Sequence, residues 1–216
     1  MTDSTILLVG NTMSADHQIF LTKMDTLGTV IWSRSYTADL GSGLTQSAMS
    51  VTEMLDNSIV VLGAQAGSLT SGLLLHVDAD GSYIESRSIV STDSNYDIIP
   101  IATAPLLDST LAISIKRLDL STGEVNPLLV KFGLDSTVYY QTVLKESTDI
   151  NPTRGGFVSN DSVSASFLTS SLKIDSVTLY PYLTKVDGNG MTDCSESASF
   201  LRFDSIFFAV DTLMWT

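Results

Sequence analysis

Apolar residues in this chain come in short runs of four to eight, bounded by Gly, Asp, Asn and Ser. No stretch of eleven residues holds a helical period, so short strands are expected throughout and helix content should be very low. Between Ala48 and Val90 the pattern resolves into four strands: Ala48–Met54, Ser58–Ala64, Leu73–Val77 and Tyr83–Val90. The middle two are almost continuously apolar, which suits strands buried on both faces.

This four-strand pattern recurs with a period of about fifty-three residues. One marker is Asp3-Ser-Thr-Ile-Leu-Leu-Val-Gly, Asp56-Asn-Ser-Ile-Val-Val-Leu-Gly, Asp108-Ser-Thr-Leu-Ala-Ile and Asp161-Ser-Val-Ser. A second marker, in phase with it, is Lys23-Met-Asp25-Thr-Leu-Gly28, His76-Val-Asp78-Ala-Asp-Gly81, Lys131-Phe-Gly133-Leu-Asp135 and Lys185-Val-Asp187-Gly-Asn-Gly190. The units run near 3–55, 56–107, 108–160 and 161–194, with a tail over 195–216. Four-stranded units of this length predict an all-β fold, a β-propeller of four-stranded antiparallel blades. About four blades are visible, forming either a four-bladed ring or part of a larger propeller. Each end of the chain is unfinished: the first unit lacks its first strand, and one strand is missing between Gly190 and Asp204. The segment Ala198–Phe203 is a candidate to supply the first unit's missing strand, and Asp204-Ser-Ile-Phe-Phe begins a linker or a further unit.

The turns carry recognisable chemistry. Asp25 with Gly28, Asp78 with Gly81 and Asp187 with Gly190 mark third-to-fourth-strand turns. There the Asp side chain accepts backbone N–H bonds and the Gly takes positive φ. Gly133-Leu-Asp-Ser136 breaks that pattern and should turn differently. Asp56-Asn57 and Asp108-Ser109 serve the first-to-second-strand turns. The opposite face should carry the variable loops: Asn11–Gln18, Gln65–Gly72, Lys116–Pro127 and Thr169–Pro181, together with Thr37–Thr45, Ser91–Asn95 and Lys145–Pro152. Binding residues are sought there, because loops on a rigid scaffold carry function. The candidates are Asp16, His17, Asp93, Asn95, Tyr96 and Asp149.

Composition narrows the class. Hydrophobic residues are 44% and charged residues 16%, with Ser and Thr about a quarter. The net charge of -13 opposes phosphate backbones and anionic bilayers, which argues against nucleic-acid binding. No apolar run is long enough to insert in a membrane as a helix. Cys194 is the single cysteine, so no internal disulfide forms, and its acidic neighbours Asp193 and Glu196 oppose a reactive thiolate.

The segments Ile6-Leu-Leu-Val-Gly10 and Ile19-Phe-Leu-Thr-Lys-Met-Asp-Thr-Leu-Gly-Thr-Val-Ile-Trp-Ser-Arg-Ser-Tyr36 resemble a propeller repeat of secreted Bacteroidetes proteins. Thr184-Lys-Val-Asp-Gly-Asn-Gly-Met-Thr-Asp-Cys194 resembles that family's final blade. The resemblance implies an extracellular or cell-surface protein exported by a type IX-like route. It transfers no catalytic residue.

No nucleophile elbow, phosphate loop or dinucleotide fingerprint is present. Asp78-Ala-Asp80 and Asp187-Gly-Asn189 begin like calcium loops, but the acidic twelfth position is Ile89 in the first case, and a hairpin turn accounts for both better. No cofactor is expected, with Ca2+ the remote alternative. The expected function is a non-enzymatic binding or structural module for adhesion or assembly. It would take a protein or glycan at the variable-loop face, and another chain could complete the terminal units. The alternative is a glycan hydrolase using loop carboxylates.

Overall fold

The computed structural model describes residues 5–12, 18–38, 45–67, 70–135, 137–144, 159–160, 167–175, 178–186, 195–197, 201–206 and 208–212. The protein is all-β, and its described residues include no helix. The chain divides into two compact units: residues 1–89 with 203–216, and residues 90–202.

The first unit holds two sheets. Strands β1 (Thr5–Asn11), β2 (Ile19–Asp25) and β3 (Val30–Ala38) form an antiparallel meander. Strands β4 (Thr45–Glu53), β5 (Ile59–Ala66), β6 (Thr70–Val77) and β7 (Tyr83–Ser91) form the second. The expected strands of residues 48–90 all appear. Central strand β5 is buried from Ile59 to Gln65 on both faces, as its unbroken apolar sequence requires. Ile19, Leu21 and Tyr36 of one sheet meet Ile59, Val61, Leu73, Leu75 and Val77 of the other in one core. Between the sheets also lies a buried ion pair, Lys23 Nζ to Glu53 at 3.5 Å, with each side chain 8% exposed.

The second unit contains β8 (Tyr96–Pro105), β9 (Thr110–Asp119), β10 (Val125–Gly133) and β11 (Val138–Leu144) in sequential antiparallel order. A separate sheet joins β12 (Ser159–Asn160), β13 (Phe167–Asp175) and β14 (Thr178–Val186). Proline sits where its missing N–H is tolerated. Pro100 and Pro105 lie in end strand β8, the former at a register shift, and Pro181 lies in end strand β14.

The tail differs from expectation. It places β15 (Ser195–Ser197) beside β11, β16 (Leu201–Ser205) beside β7 and β17 (Phe208–Thr212) beside β3. It therefore adds an outer strand after the fourth of two units and after the third of the first. None of its described strands lies next to β1, and Leu201–Phe203 belongs to β16. Ala198–Phe200 lies outside the described residues. The anchoring is apolar and polar together. Phe208 joins the core, Ile206 and Val210 pack on it, and the Ser86 hydroxyl donates to the Ile206 carbonyl at 2.6 Å. Gln141 extends the β15 ladder with its side chain: its Oε1 accepts the Leu201 N–H at 3.1 Å.

The loop boundaries also need correction. Gln65–Gly72, Lys116–Pro127 and Thr169–Pro181 are mostly strand. Strand runs to Ala66 and from Thr70 in the first, to Asp119 and from Val125 in the second, and to Asp175 and from Thr178 in the third. The strand ends there are polar and lose the apolar signature, yet their backbone ladder continues, Arg117 opposite Asn126 and Lys116 opposite Pro127.

Candidate functional site

The turn residues behave as their chemistry requires. Asp25 Oδ1 accepts the N–H groups of Leu27 and Thr29 at 2.9 and 2.8 Å, and Gly28 has φ +84°. Asp78 Oδ1 accepts those of Asp80 and Ser82 at 2.9 and 2.7 Å, and Gly81 has φ +78°. Asn57 and Ser109, at φ 66° and 62°, take the glycine's place in the first-to-second-strand turns. The third turn keeps the closing bond of the other two, Gly133 N–H to the Thr137 carbonyl as Asp25 to Thr29 and Asp78 to Ser82, while its carboxylate comes from Asp135, whose Oδ1 accepts Thr137 N–H; Ser136 lies outside the described residues. Asp187 and Gly190 lie outside the described residues.

The turn at Asp78–Gly81 is held from β3. Alternate residues Trp32, Arg34 and Tyr36 share one strand face and donate to three successive carbonyls. These are Trp32 Nε1 to Ala79 at 3.1 Å, Arg34 Nε to Asp80 at 3.1 Å and Tyr36 Oη to Gly81 at 2.7 Å. Tyr36 is fully buried, and its burial pushes its pKa well up. The Trp-x-Arg-x-Tyr spacing is thus a clasp for a backbone turn.

Of the candidate binding residues, Asp16, His17 and Asp149 lie outside the described residues. Asp93, Asn95 and Tyr96 fall together at one rim of the second unit. Asp93 Oδ1 accepts Asn95 N–H at 2.9 Å and its carbonyl accepts Tyr96 N–H at 3.2 Å. The Asn95 carbonyl accepts Leu120 N–H at 2.8 Å, tying this loop to the β9–β10 hairpin. Register places Tyr96 opposite Asp119, and the Arg117 guanidinium lies 4.2 Å from the centre of the Tyr96 ring. Asp119 Oδ1 accepts the Ser121 hydroxyl at 2.6 Å and the Ser121 and Thr122 N–H groups at 2.8 and 3.2 Å. The Ser121 hydroxyl leads in lowering its pKa, and Tyr96 contributes. Arg117 and Asp119 were not among the sequence candidates. The signal for Asp119 was present, because Asp119-Leu-Ser-Thr-Gly123 is another Asp-to-Gly turn, with Gly123 at φ 76°.

This rim can stack and hydrogen-bond, and two of its carboxylates also hold their own loops. Asp93 and Asp119 each accept N–H groups of their own loop through Oδ1. A Ser-His-Glu series does occur in the first unit. His76 Nε2 is 3.0 Å from Ser58 Oγ, and Nδ1 is 3.8 Å from Glu85 Oε1. It is not a nucleophile arrangement, because Ser58 is 6% exposed and its hydroxyl donates to Asp56 Oδ1 at 2.7 Å. His76 instead occupies the repeat's basic position, where Lys131 Nζ meets Asp108 Oδ2 at 2.6 Å in the next unit. Among the described residues, no group of three or more His, Cys, Asp or Glu is placed to hold a metal ion.

No protein-family model matches the chain, and no curated protein matches it. A solved structure from Bacteroides caccae, described as a protein of unknown function, is 9% identical over 88% of this chain and 82% of its own length, with a TM-score of 0.33. A likeness of that size carries no argument.

Proposed function

We propose that this chain is a non-enzymatic binding or structural module, secreted or displayed at the cell surface, whose four-stranded repeats are β-propeller blades. One observation carries the non-enzymatic reading. The described Asp residues at the turns and the rim, namely Asp25, Asp56, Asp78, Asp93, Asp108, Asp119 and Asp135, accept N–H or hydroxyl bonds from residues two to four positions on. They act as backbone staples rather than as reactants. The repeat resemblance supports an exported location.

The ligand is a protein or glycan met at the rim of Asp93, Asn95 and Tyr96, with Arg117 backing the aromatic ring. Incubated with a panel of glycosides, the full chain should give no turnover above buffer, while a glycan or protein array should show binding that Tyr96→Ala and Arg117→Ala weaken. Turnover abolished by Asp93→Asn would overturn the proposal in favour of a hydrolase.

A further inference from the structure

One basic position recurs as Lys23, His76 and Lys131, each shortly before a third-to-fourth-strand turn. The two lysines meet carboxylates directly, Lys23 with Glu53 at 3.5 Å and Lys131 with Asp108 Oδ2 at 2.6 Å. Asp56 holds the place of Asp108 in the middle repeat. The shorter imidazole stops at the Ser58 hydroxyl, 3.0 Å from its Nε2. Of the three cations, only His76 changes its charge near neutral pH.

Hydrogen-bond arithmetic fixes where the proton of the neutral ring sits. A hydroxyl has one proton to donate. That of Ser58 goes to Asp56 Oδ1 at 2.7 Å, and Asp56, held below the ordinary carboxylate range chiefly by this hydroxyl, has none to give. Ser58 Oγ therefore accepts from His76, and the neutral ring carries its hydrogen on Nε2. Nδ1 is then a bare lone pair, buried without a hydrogen-bond partner, and Glu85 Oε1 lies 3.8 Å from it. Two acceptors face each other with no proton between them. Glu85 is drawn the other way, because its Oε2 accepts Arg87 Nη2 at 2.6 Å. The same guanidinium donates through Nη1 to the hydroxyl of Ser205, the last residue of β16. The charged groups that act on His76 are thus Glu85, opposite it on β7, and Asp56, in the β4–β5 turn, while β5 presents uncharged Val60.

We propose that proton uptake at His76 Nδ1 transfers Glu85 from Arg87 to the imidazolium and so releases the tail at Ser205 from β7. Protonated Nδ1 is a donor beside an anion. To bond it, Glu85 Oε1 closes from 3.8 Å to roughly 2.8 Å and turns away from Arg87. Two cations now share one carboxylate, so Arg87 loses its anchor and its hold on Ser205. The opened form binds the proton more tightly than the closed one, and acid therefore favours opening, by at most about tenfold per pH unit for a single proton. Burial acts in the same direction, because it holds the closed ring's pKa below its ordinary value. Opening is absent above about pH 6.5 and develops below it. The latch stands apart from the rim of the second unit and from whatever that rim binds.

Amide hydrogen exchange of the full chain, followed by NMR at pH 7.5, 6.5 and 5.5 and corrected for intrinsic rates, tests this. The reporter is Ile206, whose N–H donates to the Ser86 carbonyl at 3.2 Å. Its protection should stay below that of Val61 in central strand β5 at every pH, which marks a local opening. It should fall several-fold between pH 6.5 and 5.5. In His76→Gln that fall should vanish. In Glu85→Gln, Arg87 lacks its carboxylate throughout, so protection should be low already at pH 7.5 and change little. Imidazole nitrogen shifts of the unaltered chain at pH 7.5 should show the hydrogen on Nε2, a reading that needs no variant to fold. A hydrogen on Nδ1, an equal pH dependence in His76→Gln, or Ile206 protection equal to that of Val61 would each overturn the proposal.

Discussion

Gly28 and Gly81 occupy equivalent turns with nearly equal φ, yet replacing them by Ala should differ sharply. At Gly28 an added Cβ meets nothing within 4 Å, so Gly28→Ala suffers only the positive-φ penalty of roughly 1–2 kcal/mol. At Gly81 the same Cβ would lie 2.9 Å from Trp32 Cζ3 and 3.1 Å from Arg34 Cδ and Nε. The turn must move away from β3. Overpacking adds roughly 1–3 kcal/mol. Displacing the Gly81 carbonyl also strands the buried Tyr36 hydroxyl, at about 1–3 kcal/mol. Gly81→Ala should therefore be the more costly by about 2 kcal/mol or more. Urea unfolding followed by Trp32 fluorescence measures both, since the indole ring covers Gly81. Tyr36→Phe should lose roughly 1 kcal/mol on its own. Equal losses for the two glycine variants would show that the Trp32-Arg34-Tyr36 clasp does not hold this turn.

Lys23→Met should destabilise by about 3–5 kcal/mol, because it leaves the Glu53 carboxylate buried without its cation. Lys23→Met combined with Glu53→Gln should recover most of that in a double-mutant cycle, and strict additivity would refute the coupling. Burial lowers the His76 pKa, with Glu85 and Asp56 opposing it, so the folded state resists protonation. Its contribution is whole above the unfolded value near 6.5 and is lost as pH falls from there toward the lowered folded value. Denaturation midpoints between pH 7 and 5 should fall less steeply for His76→Gln than for the parent chain, and identical slopes would exclude this group. Asp56 and Asp108 are held low, Asp56 chiefly by the Ser58 hydroxyl. At Asp108, burial works the other way and is outweighed by Lys131 and Thr110. Their contribution persists to lower pH and disappears only as pH drops through the carboxylate range below about 3.9.

Much of the local architecture was written in the sequence. Alternating and continuous apolar runs located β4 to β7 within a few residues, since side-chain burial imposes a two-residue period. The Asp…Gly pairs at 25–28 and 78–81 announced their turns, because an Asx side chain and a positive-φ glycine satisfy a tight reversal without help from elsewhere. Asp93, Asn95 and Tyr96 were recognisable as a loop cluster, while Arg117 was not, because its place over the Tyr96 ring is set by the β8–β9 register and not by local pattern.

Tertiary structure alone decided which edges the tail strands joined. The segments Ser195–Ser197, Leu201–Ser205 and Phe208–Thr212 are strand-like, but any unpaired strand edge offers the same backbone groups. The choice of β11, β7 and β3 rests on side chains distant in sequence, namely Gln141 on Leu201, Ser86 on Ile206 and the Tyr36 core around Phe208. It also decided that Trp32, Arg34 and Tyr36 grip carbonyls more than forty residues away. Local pattern records what each residue needs, burial or a bond. Which partner meets that need is settled only when the sheets pack.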